Sequence, residues 1–251
     1  MMKPRFFETS DGRRIAYHRS KGDEPGIVFL GGFRSDMTGT KATFLEAWAK
    51  GRGQSFLRFD YTGHGASSGA FLDGSIGAWA RDAQDAVSHL TSGPQILVGS
   101  SMGGWIALLL AKRIPERVAG LIGISAAPDF TEDSMFANLT PAQREMLDAE
   151  GFVDTPSDYS EEPYRITKLL IEDGRQNLVL TSPLEVQVPF RLLHGTADAD
   201  VPVSVALRTI EHVRGSDFRL TLVKDADHRF SEPENLSHIS QTLTELLDDL
   251  S

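Results

Sequence analysis

The chain has 251 residues, 40% of them hydrophobic, with 25 Lys and Arg against 35 Asp and Glu for a net charge of −10, and no cysteine. Its length suits one large α/β domain that buries roughly 70 to 75 per cent of its unfolded surface, and the missing thiols exclude disulfides, thiolate metal sites and a cysteine nucleophile. The acidic balance argues against nucleic acid, whose phosphates demand a cationic face, and no run reaches the ~18 apolar residues of a membrane span.

The amino terminus, Met1 to Asp11, turns polar too soon for a signal peptide, so a cytoplasmic protein is expected. Arg5–Thr9 and Arg14–Arg19 predict two strands around Ser10-Asp11-Gly12, a hairpin signal. Ile27–Leu30 is wholly apolar, as a strand buried on both faces of a parallel sheet would be. A helix is expected over Lys41–Lys50, a strand over Ser55–Phe59, and a helix over Ser75–Leu90 with Trp79, Ala83, Ala86 and Leu90 on one face. The strand Gln95–Gly99, the helix Trp105–Arg113 and the strand Ala119–Ile124 follow.

Between Pro128 and Val186 that rhythm is interrupted. Thirteen acids face four cations there, net −9, which is nearly all of the chain's imbalance. Thr140-Pro141-Ala142-Gln143 is a capping box with proline at the first helical position, opening a helix that stops at Gly151. Tyr164–Ile171 is expected as a second helix. Phe190–Leu193, Ser204–Val213 and Phe218–Val223 then resume strand, helix, strand, and Leu236, Ile239, Leu243, Leu246 and Leu250 form one stripe of a closing helix. Eight strands alternating with helices predict a mostly parallel sheet with helices on both faces and a lid inserted after the sixth strand. The boundaries expected are a core of 1–127 and 186–251 and a lid of 128–185.

Chemistry points first to Gly99-Ser100-Ser101-Met102-Gly103, a G-x-S-x-G turn between an apolar strand and an apolar helix. The glycines remove side chains where backbones must touch, which pushes the Ser101 hydroxyl out at the tip. A serine attacks only beside a base, and histidine, with an ordinary pKa near 6.5, suits that role. Of seven histidines, His18, His89, His212 and His238 lie in expected strands or exposed helices, and His64 and His194 in glycine-bearing turns. His228 falls on the loop between the last strand and the last helix, at the sheet edge that carries Ser101. An acid to orient the imidazole is offered by Asp198 and, two residues on, by Asp200, while Asp225 and Asp227 neighbour the base in sequence. Met102 supplies one N–H for a developing oxyanion, and Phe33, after Gly31 and Gly32, supplies the second; those glycines equally suit a tight turn. No His-Glu-x-x-His pair or phosphate cradle is present, so neither metal nor cofactor is expected.

Four ordered motifs resemble the α/β-hydrolase superfamily: Asp60-Tyr61-Thr62-Gly63-His64-Gly65, Gly99–Trp105, His194–Pro202 and Asp227-His228-Arg229-Phe230. A narrower similarity, carried by Gly31–Ala42 and Arg58–Tyr61, is to the group of mitochondrial palmitoyl-protein thioesterases that also cleave acyl-glucuronides. The chain lacks that group's proline before the glycine at Gly31, and its early Glu8 and Asp11 do not suit a transit peptide. The resemblance implies the α/β-hydrolase fold, with Ser101 as nucleophile, Asp198 as acid, His228 as base, and Phe33 and Met102 as oxyanion donors. It implies a serine hydrolase of esters or thioesters acting through an acyl-enzyme, on a small molecule or an acylated protein. The alternatives are an acylglycerol lipase or perhydrolase, or a non-catalytic binding protein on the same scaffold. Met135, Phe136, Leu139, Met146 and Leu147 are expected either to cover an acyl chain or to bury the lid, and the acidic lid to repel anionic substrates such as acyl-CoA. Oligomeric state is not legible.

Overall fold

A computed structural model describes residues 3–156 and 163–250. The chain opens with β1 (Arg5–Glu8) and β2 (Arg14–Ser20), antiparallel about a turn in which Gly12 takes φ +83°. Then come β3 (Asp23–Leu30), α1 (Thr40–Arg52), β4 (Gln54–Phe59), α2 (Ile76–Leu90), β5 (Gln95–Ser100), α3 (Met102–Arg113) and β6 (Val118–Ile124). After the insertion, β10 (Phe190–Gly195), α6 (Val203–His212), β12 (Phe218–Val223) and α7 (Pro233–Asp249) complete the core. Within the insertion lie α4 (Pro141–Glu150), β7 (Phe152–Thr155), β8 (Tyr164–Thr167), α5 (Lys168–Gln176) and β9 (Leu184–Glu185), which pairs with β11 (Val213–Arg214).

The eight-stranded sheet runs β1-β2-β4-β3-β5-β6-β10-β12, parallel from β4 onward. Its buried strands alternate strictly. Val28, Leu30, Leu57 and Leu97 face the cluster under α2 and α3, while Ile27, Phe29, Phe56, Ile96 and Val98 face the cluster under α1 and α7. The register Leu30↔Gly99 brings the carboxyl ends of β3 and β5 side by side. From β3 the chain passes to β4 on one side and then to β5 on the other, so the strand order reverses here. Such a switch point opens a crevice outside the strand ends.

The expected α/β-hydrolase architecture is present, with three local corrections. Tyr164–Thr167 is not helical: Tyr-Arg-Ile-Thr alternates and pairs antiparallel with β7, Phe152 opposite Thr167. The helix starts only after Thr167, whose side chain accepts from the Leu170 N–H as its cap. His194 stands inside β10, buried, rather than in a turn. Val213 leaves α6 to bridge Leu184. The capping box at Thr140 and Gln143 is present, and Gly151 closes α4 in the left-handed region. Of the acids counted in the insertion, Asp158, Glu161 and Glu162 lie outside the described residues.

Candidate active site

The elbow forms because two backbones cross where glycine alone fits. A Cβ on Gly99 would run into the Gly103 carbonyl, and one on Gly103 into the Leu30 carbonyl. Ser101 between them takes φ +52°, ψ −116°, a strained conformation for a residue with a side chain. Its N–H donates to the Ile124 carbonyl at 2.9 Å, and its own carbonyl accepts from Gly104 and Ala127, so neighbouring elements hold the strain. Met102 follows at the first position of α3, where backbone N–H groups have no intrahelical partner.

The loop after β3 closes over the elbow. A Cβ on Gly32 would lie 3.4 Å from the Ser100 carbonyl and 3.5 Å from the Ser101 Cβ, which puts the Gly32–Phe33 backbone alongside the serine. Arg34, next in line, is left-handed at φ +57°. The Phe33 ring packs edge-on against Phe71, Trp79 and Phe130 and stacks on Tyr164, joining core to insertion. Asp60 fastens the loop from behind, its carboxylate accepting from the Met37 N–H at 2.6 Å and the Ala66 N–H at 2.8 Å.

His228 comes to Ser101 from the other end of the chain. Its Nε2 lies 3.1 Å from Ser101 Oγ, and its Nδ1 lies 3.0 and 2.9 Å from the two Asp198 carboxylate oxygens. A carboxylate on Nδ1 selects the tautomer that carries its proton there and leaves Nε2 free to accept from the serine hydroxyl. The Asp198 side chain is wholly buried. Burial alone would raise its carboxyl, but hydrogen bonds from His228 and the Val201 N–H outweigh it and hold the group below the usual carboxylate range. Asp198 Oδ1 also accepts from Asp200 N–H, a local turn that points Asp198 inward while Asp200 stays exposed. Asp198, Asp200 and His228 place ligand atoms within 4.8 Å of one another, but the first and last of these already engage each other.

These groups open on a cleft of about 1190 Å³. Phe33, Phe130, Met135, Leu139, Ile166 and Val205 give it an apolar wall, and Arg34, Asp36, Lys41, Asp133, Asp200 and Arg229 give it a charged rim. Of the apolar lid residues singled out in the sequence, Met135 and Leu139 line this cleft. Leu139 and Leu147 belong to a separate small core with Val153, Ile166 and Ile171, against which Phe136 packs, and Met146 is exposed. Of the lid's acids, Glu132 is ion-paired with Arg175 at 2.6 Å, Asp154 with Arg165 at 2.7 Å, Asp148 with Lys168 at 2.9 Å, and Asp133 with Arg208. Among the described residues the cleft rim itself carries three cations, Arg34, Lys41 and Arg229, against three acids, Asp36, Asp133 and Asp200.

The remaining histidines stand apart from the serine. His64 is buried in a box of Tyr61, Phe71 and Trp79, and burial pushes its imidazole down to about 4. His194 Nε2 donates to the Val201 carbonyl at 2.8 Å and so shapes the loop that carries Asp198. Phe130, Tyr164, Arg34 and Lys41 are cleft residues that sequence reasoning did not single out. The signal that pointed nearest to Lys41 was the Gly31–Ala42 similarity.

Comparison with known proteins places this geometry. Residues 27–238 match the alpha/beta hydrolase family. The human "Palmitoyl-protein thioesterase ABHD10, mitochondrial" is 37% identical over 247 residues, covering 98% of this chain and 80% of that protein. A putative hydrolase from Agrobacterium vitis S4 superposes with a TM-score of 0.92 at 40% identity, covering 97% of this chain and 98% of that one. The mouse alpha/beta hydrolase domain-containing protein 10 gives a TM-score of 0.93 at 36% identity, with both chains covered in full. The resemblance drawn from the motifs is thus confirmed, and with it the esterase and thioesterase class of enzyme. The chain belongs to the alpha/beta hydrolase family.

Proposed function

We propose that the protein hydrolyses long-chain acyl thioesters and esters through an acyl-enzyme on Ser101, S-acylated protein being the substrate class most in keeping with its relatives' name. The observation that carries this is the continuous chain from Ser101 Oγ to His228 Nε2 at 3.1 Å and from His228 Nδ1 to Asp198 at 2.9 Å. In the first half-reaction Ser101 Oγ bonds to the acyl carbon as its proton passes to His228 Nε2. The Asp198 carboxylate stabilises the imidazolium without taking its proton. The N–H groups of Phe33 and Met102 receive the oxyanion, a donor of this kind being worth ~3 to 4 kcal/mol. Collapse breaks the carbon–sulfur or carbon–oxygen bond, and the leaving group takes the proton from His228. Water repeats the sequence on the acyl-enzyme and frees Ser101.

The apolar wall of Phe33, Phe130, Met135, Leu139 and Ile166 supports a long acyl chain, lying between core and insertion. The division into a core of 1–127 and 186–251 and a lid of 128–185 belongs to the same proposal. The lid's first part packs in a small core with Ile171 of α5, whereas Leu170, Val179, Leu180 and Leu184 are buried in the main one. No helix among the described residues is long and apolar enough to cross a membrane. Organelle fractionation decides between a cytoplasmic home and the mitochondrial address in the relatives' name. Hydrolysis of an S-palmitoylated peptide, followed as released thiol, tests the function: wild type turns it over and Ser101→Ala does not. Equal release by both would end the proposal.

A further inference from the structure

Lys41 lines the cleft together with Ser101 and His228, yet the hydrolytic steps leave it without a role. It stands on the first turn of α1. Its neighbour Ala42 is buried in the same cluster as Leu45 and Phe230, so this end of α1 is fixed against the residue two places after His228. From there the half-buried Lys41 side chain crosses to the opposite rim, where its ammonium donates to the backbone carbonyl of Arg229, the residue that follows the base.

The turn it grips is under strain. Asp225 and Phe230 both occupy the left-handed region, at φ +62° and +48°. Side chains that take such angles persist only where their surroundings over-determine them. One end of the turn is held by Thr196 Oγ1, which accepts from the Asp225 N–H at 2.9 Å. The other is held by Asp227 Oδ1, which accepts from the Phe230 N–H at 3.0 Å. Both are bonds to N–H groups. The Arg229 carbonyl lies between the base and the strained Phe230 and accepts twice, from the Lys41 ammonium and from Ser231 Oγ at 2.9 Å. The Ser231 hydroxyl satisfies that carbonyl from within the turn, whereas Lys41 reaches it from α1 and is the donor that ties the turn to a separate element.

We propose that Lys41 is a positioning residue for the base: by holding the Arg229 carbonyl from α1, it fixes the turn that aims the His228 imidazole at Ser101. This rests on the hydrolytic role given to Ser101 and His228. The charged groups facing the ammonium are Asp227 and Arg229 from the His228 turn, with Arg34 and Asp36 lining the same cleft from the loop after β3. Burial pushes the Lys41 ammonium down to about 8, Asp227 opposing and Arg229 adding to the fall. The clamp is therefore charged at neutral pH and loses its charge as pH rises through about 8.

The test compares wild type, Lys41→Met and Lys41→Arg by kcat and KM from pH 6 to 10 and by the hydrogen-bonded Nδ1–H proton of His228 in NMR spectra. Small misplacements of a reacting group cost up to ~100-fold, so Lys41→Met is expected to lose ~10- to 100-fold in kcat with KM held within about twofold. It should also lose the fall in activity above pH ~8, as expected for a group titrating there. Lys41→Arg should recover most of the rate and carry that fall to higher pH, because a guanidinium keeps its charge. An unchanged kcat in Lys41→Met, or a rise in KM alone, would overturn the proposal. If Lys41→Met fails to fold, a pH profile of Lys41→Arg identical with wild type overturns it instead. If the wild type turns over no ester or thioester, the hydrolytic reading fails separately, and the Nδ1–H signal still decides: broadened or shifted in Lys41→Met as expected, or unchanged and fatal to the role of Lys41.

Discussion

In the central sheet the strand ends are placed by side chains with no exposure at all, Val28, Leu30, Ile96 and Leu97 among them. The insertion between β6 and β10 shares that packing in its second part, through Leu170, Val179, Leu180 and Leu184, while its first part leans on exposed ion pairs such as Asp154 with Arg165, a small core and a few buried polar anchors. One such anchor is Asp129, whose carboxylate accepts the Val179 and Leu180 N–H groups, each at 2.8 Å, and so pins the far end of the insertion beside its start. Dense apolar packing tolerates little displacement, and the core is where Ser101, His228 and Asp198 must meet within hydrogen-bond reach. Exposed pairs are weak and screened by salt. On the proposed function, reactivity is thus lodged where packing is dense, and substrate choice where it can be remodelled at small cost.

That contrast can be broken most severely at the serine. Ser101→Ala should lower kcat/KM for a short p-nitrophenyl ester by ~10⁴-fold or more, and adding His228→Ala should cost little further, since such groups act as a unit. Steady-state rates of the two single variants and the double variant check this. Asp198→Asn should cost ~10³- to 10⁴-fold, whereas Asp200→Asn should stay within about tenfold of wild type; the reverse order would move the acid to Asp200. Asp129→Ala leaves two buried N–H groups unpaired and should cost about 2 to 5 kcal/mol in urea unfolding, a loss out of proportion to the exposed pairs nearby.

A pH experiment sharpens the core side of the comparison. Burial holds His64 down near 4, below the ~6.5 of an unfolded histidine, so its contribution is intact above about 6.5 and lost as pH falls toward 4. Between pH 7 and pH 5 wild type should lose about 2 kcal/mol that His64→Phe keeps, read as the difference in unfolding free energy between the two proteins. The smallest effect belongs to the insertion. Because three cations balance three acids on the cleft rim, chain-matched acyl-CoA and neutral thioesters should differ by less than about tenfold in kcat/KM at low salt. A strong preference for the neutral substrate would restore the repulsion expected from net charge.

What the sequence disclosed follows the same division. The elbow is legible because its requirement is local: Gly99 and Gly103 flank Ser101 at fixed spacing, and the crossing with Leu30 explains why nothing larger than glycine serves at Gly103. Asp198 could not be told from Asp200 by position, since the distinction lies in the Asp200 and Val201 N–H groups that draw the Asp198 carboxylate inward. Tyr164–Ile171 was misjudged because a short mixed run suits two periods, and pairing with β7 decides between them. Lys41 was invisible as a working residue because its acceptor lies 188 residues away. Net charge locates the acids in the insertion but does not say which side chains reach the cleft, where acids and cations are equal in number among the described rim residues.

The most direct test of the central claim is mass-spectrometric mapping of a fluorophosphonate adduct on wild type and on His228→Ala. The account predicts rapid, single-site modification of Ser101 in the wild type and little in the variant. An adduct on another residue, or equal labelling of Ser101 with and without His228, would contradict it.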